Sequence, residues 1–182
     1  MNRRTKIAAL AAALTISAGA AGSAAVASGD GRGGSREAAA LTGSAKIYRV
    51  ASDDITFSFD AHLAAKDNTN PQAATGTFRL SHYKNGKGGY AVVTVDCLVT
   101  GGKVATVTGR VTETDVKEFD KRRIGVSVHD LGKHDRLGYS WLAQDPEEGD
   151  VPPCHSPAPF EKTKAGTGDF KVLPWQPEYP AE

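Results

Sequence analysis

The sequence predicts an all-β protein built as one antiparallel domain. Residues 55–63 and 75–83 alternate apolar and polar side chains, which is the pattern of strands with one buried face. Asn-Gly and Gly-Gly pairs at residues 85–89 and 101–102 favour tight hairpin turns. No convincing amphipathic helix follows residue 27. About eight short strands joined by short turns favour a meandering β-barrel over a β-sandwich.

Strand-type segments follow one another at short intervals. The longest β-branched run, residues 90–100, is joined by Gly101-Gly102 to residues 103–113, which predicts a central hairpin. Residues 116–121 have room for one helical turn at most. The predicted strands are residues 46–50, 55–63, 75–83, 90–100, 103–113, 124–130, 137–142 and 169–173.

The first 27 residues have the pattern of a secretory signal peptide. The segment begins with basic residues, continues with an apolar run at residues 7–16, and ends with Ala25-Val26-Ala27, which fits the small-x-small cleavage rule. The apolar run is shorter than the roughly 20 residues of a membrane-spanning helix. We therefore expect export by the general secretory route and a protein released outside the cell.

Composition divides the rest of the chain into three parts. Residues 28–44 are rich in Gly, Ser, Ala and charge without apolar periodicity, which predicts a flexible leader. Residues 45–174 carry the predicted strands and form the barrel-like domain. Residues 175–182 form a C-terminal tail. The 155 residues after the signal are the size of one domain.

The charge balance argues against nucleic-acid binding. The chain has 22 Lys and Arg and 21 Asp and Glu residues, and the signal segment holds three of the basic residues and none of the acidic ones. The mature chain therefore carries a net charge of −2, without the basic surface that phosphate contacts require. Neither cysteine lies near the cleavage site, so no lipid or membrane anchor is expected.

Cys97 and Cys154 are the only two cysteines. In an exported chain an even number of cysteines indicates a disulfide. The bridge would pin the Pro-rich residues 151–160, which cannot enter a sheet interior, to the strand at residues 90–100. A catalytic thiol is the rival interpretation, and it needs a positioned base.

The densest cluster of ionisable side chains lies in residues 126–141. Two strand-type runs flank a polar connection, which predicts a β-hairpin. Asp130 and Asp135 are interpreted as turn formers, because a short carboxylate accepts hydrogen bonds from nearby backbone N–H groups. Arg136 is expected to form an ion pair that fixes this turn and positions Trp141 in the core.

The histidines leave a metal site as an open hypothesis. Three imidazoles could bind zinc or copper if their strands are adjacent. No HExxH, Cys-x-x-Cys or calcium-loop motif occurs. The alternative is that these histidines lie on solvated polar faces. No cofactor is expected. The metal-ligand candidates are His62, His82, His129 and His134.

No catalytic residue can be assigned from motifs. Gly-x-Ser-x-Gly is absent, and no Gly-rich phosphate loop precedes a helix. The enzymatic alternative is an isomerase or cyclase that uses a few polar groups in the barrel mouth. Asp60, His62 or His129 facing a cavity would favour that alternative.

Several ordered segments resemble a group of small secreted bacterial proteins labelled repetin. The segments are residues 55–62, residues 95–98 with 101–105, residues 128–141, Cys154 and residues 168–170. They cover most of the mature domain. The resemblance implies that these segments belong to one shared fold, and it implies no activity, ligand or site residue.

Together these patterns predict a secreted, non-catalytic binding or interaction protein. Its partner would be a small ligand or a cell-surface molecule, because alternating strands can line a barrel interior that holds an apolar group. A barrel-type enzyme or an extracellular metal-binding protein is the alternative.

Overall fold

The computed structural model describes residues 36–140 and 150–176, which contain nine antiparallel strands in one sheet curled into a half-barrel. Strands 1 to 8 are ordered as in the chain, and the ninth lies beside the first. The predicted all-β meander is confirmed. The strands are β1 Glu37–Lys46, β2 Asp53–Ala64, β3 Thr75–Lys84, β4 Lys87–Gly101, β5 Val104–Thr114, β6 Arg123–His129, β7 Arg136–Tyr139, β8 Glu161–Lys162 and β9 Asp169–Leu173.

Helical structure in these residues is limited to single 3-10 turns. They are Ala65–Asp67, Pro71–Ala73, Lys117–Phe119 and Gly132–His134. No helix within residues 36–140 and 150–176 is long and apolar enough to cross a membrane.

The concave face of the sheet holds the hydrophobic core. Alternation in β2 puts Phe57 and Phe59 on this face, and the Phe59 ring lies 5.7 Å from Phe78 and 5.4 Å from Phe170. Burial of each such side chain contributes about 1.5–3 kcal/mol. The core therefore joins β2 and β3 to β9, which begins about 105 residues after the end of β2 and about 85 after the end of β3.

β1 begins earlier than the sequence indicated. It runs through residues 37–44, which were assigned to a flexible leader, and Ala39 and Leu41 are fully buried. This corrects the predicted domain boundary at residue 45 and the predicted strand at residues 46–50. Small alanines in this stretch give weak apolar periodicity, yet they suit a strand that packs closely against β2 and β9. Residues 1–35, which include the predicted signal, lie outside the described residues.

Residues 161–164 connect the two edges of the curled sheet. β8 pairs with β7 on one side. On the other side, Tyr48 N–H donates to the Lys162 carbonyl at 2.8 Å, and Lys164 N–H donates to the Lys46 carbonyl at 2.8 Å. This short segment therefore joins the end of β1 to β7 by backbone hydrogen bonds.

The Pro-rich residues 151–160 cover the convex face of β6 and β7. A Cβ atom at Gly125 would lie 2.1 Å from the His155 carbonyl oxygen, and one at Gly138 would lie 2.7 Å from the Pro159 carbonyl oxygen. Only glycine permits this approach of two backbones. β6 is consequently buried on both faces.

A disulfide between Cys97 of β4 and Cys154 holds this segment, with a Cα–Cα distance of 5.3 Å. The predicted pairing is confirmed. Cys154 N–H also donates to Thr108 Oγ1 at 3.1 Å, and the Thr108 hydroxyl donates to Asp96 at 2.7 Å. Arg123 Nε donates to the other Asp96 oxygen at 2.7 Å. The covalent tie is thus set in a polar network on the outer face.

Two carboxylates satisfy the free edge of β9. Phe170 N–H donates to Asp135 Oδ2 at 2.7 Å, and Val172 N–H donates to Asp130 Oδ2 at 3.2 Å. In a regular sheet these two N–H groups would donate to carbonyl groups of a neighbouring strand. Asp130 and Asp135 are only 5 % and 1 % exposed. We call these two carboxylates and the two N–H groups the aspartate clasp.

The remaining carboxylate oxygens of the clasp bind the β6–β7 connection itself. Leu131 N–H donates to Asp135 Oδ1 at 2.7 Å, and Gly132 N–H donates to Asp130 Oδ1 at 3.3 Å. Lys103 Nζ lies 3.1 Å from Asp130 Oδ2. Each aspartate therefore accepts one hydrogen bond from the β6–β7 connection and one from β9, and so attaches the connection to the strand.

The start of the predicted C-terminal tail is part of the fold. Trp175 N–H donates to Thr100 Oγ1 at 2.6 Å, and the indole Nε1–H donates to the Asn68 carbonyl at 2.9 Å. Thr100 in turn donates to the Leu173 carbonyl at 3.0 Å. Residue 175 therefore packs across the same end of the half-barrel as the clasp, and residues 177–182 lie outside the described residues.

Removal of the disulfide by the double substitution Cys97→Ala, Cys154→Ala is expected to lower the free energy of unfolding by about 4 kcal/mol. The bridge closes a loop of 57 residues, and loop-closure entropy in the unfolded chain gives this magnitude. Chemical denaturation of the oxidised protein and of the variant measures the difference. A reducing agent should bring the wild type to the stability of the variant, and equal stability of the oxidised wild type and the variant would contradict the prediction.

Asp130→Ala is expected to lower the free energy of unfolding by about 2–4 kcal/mol at pH 7, because two backbone donors lose a charged acceptor. Burial opposes ionisation, but the hydrogen bonds from Val172, Lys103 and Gly132 outweigh it and lower the pKa of Asp130. Its contribution is therefore complete above the ordinary carboxyl pKa and is lost as the pH falls through the lowered pKa.

Denaturant titrations of the Asp130→Ala variant from pH 7 to pH 2 test this expectation. Lys103→Ala is the control, and it should cost less than about 1 kcal/mol because Lys103 is 64 % exposed. An effect of Asp130→Ala that is no larger than that of the control would show that the clasp does not secure β9.

Candidate functional site

An apolar cavity of about 70 Å³ lies at the end of the half-barrel opposite the aspartate clasp. It is partly open to solvent and lies where β2 and β6 begin and where β3 and β7 end. Five of the lining residues are apolar. The lining residues are Ile55, Phe57, Leu80, Phe119, Ile124, His82, Tyr139 and Ser140.

Strand register brings these side chains together. Ile55 pairs with His82 and Phe57 pairs with Leu80, so these four residues occupy the same face of β2 and β3. Tyr139 pairs with Val126, which is fully buried on the concave face of β6. Phe119, in the 3-10 turn between β5 and β6, packs against the core from outside the sheet. The cavity is therefore formed between the sheet and a connection.

Charged and hydrogen-bonding groups surround the cavity mouth. His82 Nε2 lies 2.6 Å from Asp53 Oδ1. Arg49 forms an ion pair with Glu161, which joins the β1–β2 connection to β8. The ring of Tyr139 lies 5.4 Å from Phe57. The site thus combines an apolar floor with a polar rim.

The Tyr139 phenol stays protonated at neutral pH. Burial is the largest effect and raises the pKa of Tyr139, and the Glu161 carboxylate raises it further. Arg49 acts in the opposite direction with a smaller effect. A neutral phenol at the rim can form hydrogen bonds without carrying a charge into the apolar cavity.

The histidine candidates for a metal site do not converge. His62 contacts Glu37 through Nδ1 at 2.6 Å and Asp60 through Nε2 at 2.9 Å, so both ring nitrogens already have carboxylate partners. The hydrogen bond to Asp60 raises the pKa of His62, burial opposes the rise, and Glu37 adds to it. His82 pairs with Asp53 at the other end of β2.

The remaining two candidates lie elsewhere. The His129 ring is 6.1 Å from the ring of Phe160, and His134 ends the 3-10 turn after Leu131. In the part of the chain that the structure describes, no group of three or more His, Cys, Asp or Glu side chains is arranged to hold a metal ion.

The polar groups at the cavity differ from those that the sequence proposed for an enzyme. Asp60 has an exposed side chain, and His62 is bonded to it on the surface. His129 contacts Phe160, outside the cavity lining. His82 was considered only as a metal ligand, and Arg49 and Tyr139 were not singled out. The register of β2 and β3 brings His82 close to Asp53, and sequence alternation does not define that register. Arg49 and Tyr139 reach the cavity mouth from the β1–β2 connection and from β7, and no local pattern indicates this.

The acids of the β6–β7 connection accept backbone hydrogen bonds both within the connection and from β9. The cation at Asp130 is Lys103, from the turn between β4 and β5. Arg136 lies in β7 opposite His129 and Lys162. Trp141, which the turn was expected to position in the core, lies outside the described residues.

No known family model, curated protein or solved structure matches this chain. The resemblance to proteins labelled repetin stays a prediction. The functional argument therefore depends on the geometry of the cavity and its rim.

Proposed function

We propose that this chain is a secreted, non-catalytic binding protein that takes the apolar end of a small molecule into the cavity of the half-barrel. The observation that carries the proposal is the combination of five apolar lining residues with hydrogen-bonding groups at the rim. Such a combination is typical of small-molecule sites, in which apolar surface supplies affinity and a few polar groups orient the ligand.

The size of the cavity limits the ligand. A dry cavity of about 150 Å³ accommodates benzene, and one water molecule occupies about 30 Å³ of liquid. The 70 Å³ cavity therefore takes a short alkyl group or the leading edge of one ring. The rest of the molecule would lie in the mouth beside His82 and Tyr139.

The charges at the rim favour an uncharged ligand. Two pairs of side chains surround the mouth, Arg49–Glu161 and His82–Asp53, and the members of each pair already bind each other. A charged ligand would have to lose hydration against apolar walls and displace one of these pairs, and burial of a charge without a partner is costly. A neutral molecule with one polar group meets neither cost.

Binding is favoured over catalysis by the position of the polar groups. Most of the cavity lining is formed by apolar side chains, and the imidazole of His82 is directed to Asp53. Secretion is supported by the signal pattern in residues 1–27 and by the Cys97–Cys154 disulfide, because disulfides persist in oxidising compartments.

Toluene is expected to bind with its methyl group in the cavity and its ring in the mouth, and to shift the NMR signals of the Ile55, Leu80 and Ile124 methyl groups. Leu80→Trp should abolish these shifts, because the indole fills the cavity. Leu131→Trp is the matched control: the same substitution at an exposed position in the β6–β7 connection should leave toluene binding unchanged. Toluene shifts that map elsewhere, or that persist in a folded Leu80→Trp protein, would rule out this site.

Export is tested separately. Mass spectrometry of the protein from its own culture medium should give a chain that begins at Ser28 and is lighter by two hydrogens than the reduced chain. Replacing Arg3, Arg4 and Lys6 with Glu should retain the protein in the cell, because a basic start is required in a signal peptide. A released chain that still contains residues 1–27 would contradict the expected cleavage.

A further inference from the structure

A third carboxyl group, that of Asp169, lies beside the two carboxylates of the aspartate clasp. Asp169, the first residue of β9, directly precedes Phe170, whose N–H group donates to Asp135 Oδ2 at 2.7 Å, so its carboxyl group lies beside that of Asp135. Its Oδ1 atom is buried and accepts no hydrogen bond from a donor among the described residues. Its Oδ2 atom forms an ion pair with Lys171. One buried oxygen of Asp169 therefore has an acid as its neighbour.

As a carboxylate, Asp135 offers no hydrogen-bond donor to this neighbouring oxygen. It is 1 % exposed, and each of its oxygens already accepts a backbone N–H group, from Leu131 and from Phe170. The Asp169 side chain is 42 % exposed, but its Oδ1 atom is buried. This oxygen and the buried Asp135 carboxylate repel each other unless a proton lies between them. A single proton would supply the donor that the buried oxygen of Asp169 lacks.

Other charged groups surround the pair on several elements. Lys171 faces Asp169 from β9, and Asp130 bonds to Lys103 beside it. Cavities next to the pair are lined by further titratable residues of the β6–β7 connection, β7 and residues 162–164. These residues are Lys133, His134, Arg136, Lys162 and Lys164.

We propose that one proton shared by the carboxyl groups of Asp135 and Asp169 fastens β9 to the β6–β7 connection, and that loss of this proton to water loosens the C-terminal strand. This shared proton is independent of the proposed ligand cavity, which lies at the opposite end of the half-barrel.

The electrostatics of Asp135 agree with this geometry. Burial is the largest effect and raises the pKa of Asp135, and the neighbouring Asp169 raises it further. The hydrogen bonds from Phe170 and Leu131 act in the opposite direction and do not cancel the rise. The folded protein therefore holds this proton at a pH at which the unfolded chain has released it.

The sign of the pH dependence follows from linkage. A carboxyl group with a raised pKa in the folded state makes the protein less stable as the pH rises from the ordinary carboxyl pKa, about 3.9, to the raised value. Asp130 acts in the reverse direction, because its pKa is lowered. A difference between variants is therefore needed to isolate the shared proton.

Asp169→Asn provides that difference. The side-chain amide of the asparagine can donate permanently to Asp135 while its oxygen still accepts from Lys171. Above the titration range the variant should melt about 2–4 °C higher than the wild type, and the increase should disappear below about pH 4. Asp120→Asn is the matched control, because it removes an exposed carboxylate that has no part in the clasp.

Amide exchange reports the loosening directly. The exchange rate of Phe170 and Val172, divided by that of the core residue Val93, should rise with pH in the wild type and in Asp120→Asn. The same ratio should stay constant in Asp169→Asn. Asp135→Asn should destabilise the protein at every pH, because its amide group opposes the N–H groups of Leu131 and Phe170.

Two results would overturn the proposal. One is a ratio of exchange rates that does not change with pH in the wild type. The other is an Asp169→Asn protein whose melting temperature follows the same pH profile as Asp120→Asn. Toluene binding in the cavity would be unaffected by either result, so failure of the shared proton can be distinguished from failure of the proposed function.

Discussion

The fold depends on how the exposed edge of β9 is satisfied. A strand that leaves its N–H groups unpaired in a protein interior is costly, and within residues 36–140 and 150–176 no strand pairs with β9 on this side. Asp130 and Asp135 supply acceptors in place of a strand. Because the same carboxylates also bind Leu131 and Gly132, the loop that holds β9 is itself held in shape.

The two ends of the half-barrel have different chemistry. At the end with the aspartate clasp, N–H groups of β9 donate to Asp130 and Asp135, and the Trp175 indole donates to the Asn68 carbonyl. The opposite end has an apolar cavity under Phe119 and a rim of paired charges. The end with the cavity is the proposed ligand site, whereas the end with the aspartate clasp secures the C-terminal strand.

Alternation in the sequence was sufficient to locate most of the sheet. Residues 55–63 and 75–83 matched β2 and β3 because their buried and exposed faces differ strongly in polarity. The alanine-rich β1 was missed, since small side chains contrast little with Gly and Ser. β8 is only two residues long and exists through its partners in β7 and the end of β1. No local pattern encodes such a strand.

The sequence alone determined the all-β class, the meander and the pairing of two cysteines, because periodicity, turn residues and cysteine count are local properties. Only the tertiary structure showed that Asp130 and Asp135 also bind β9, because their partners Val172 and Phe170 lie about 42 and 35 residues later in the chain. The cavity likewise depends on the register between β2 and β3 and on Phe119. Contacts across such distances arise from packing of the whole chain, and composition or spacing does not contain them.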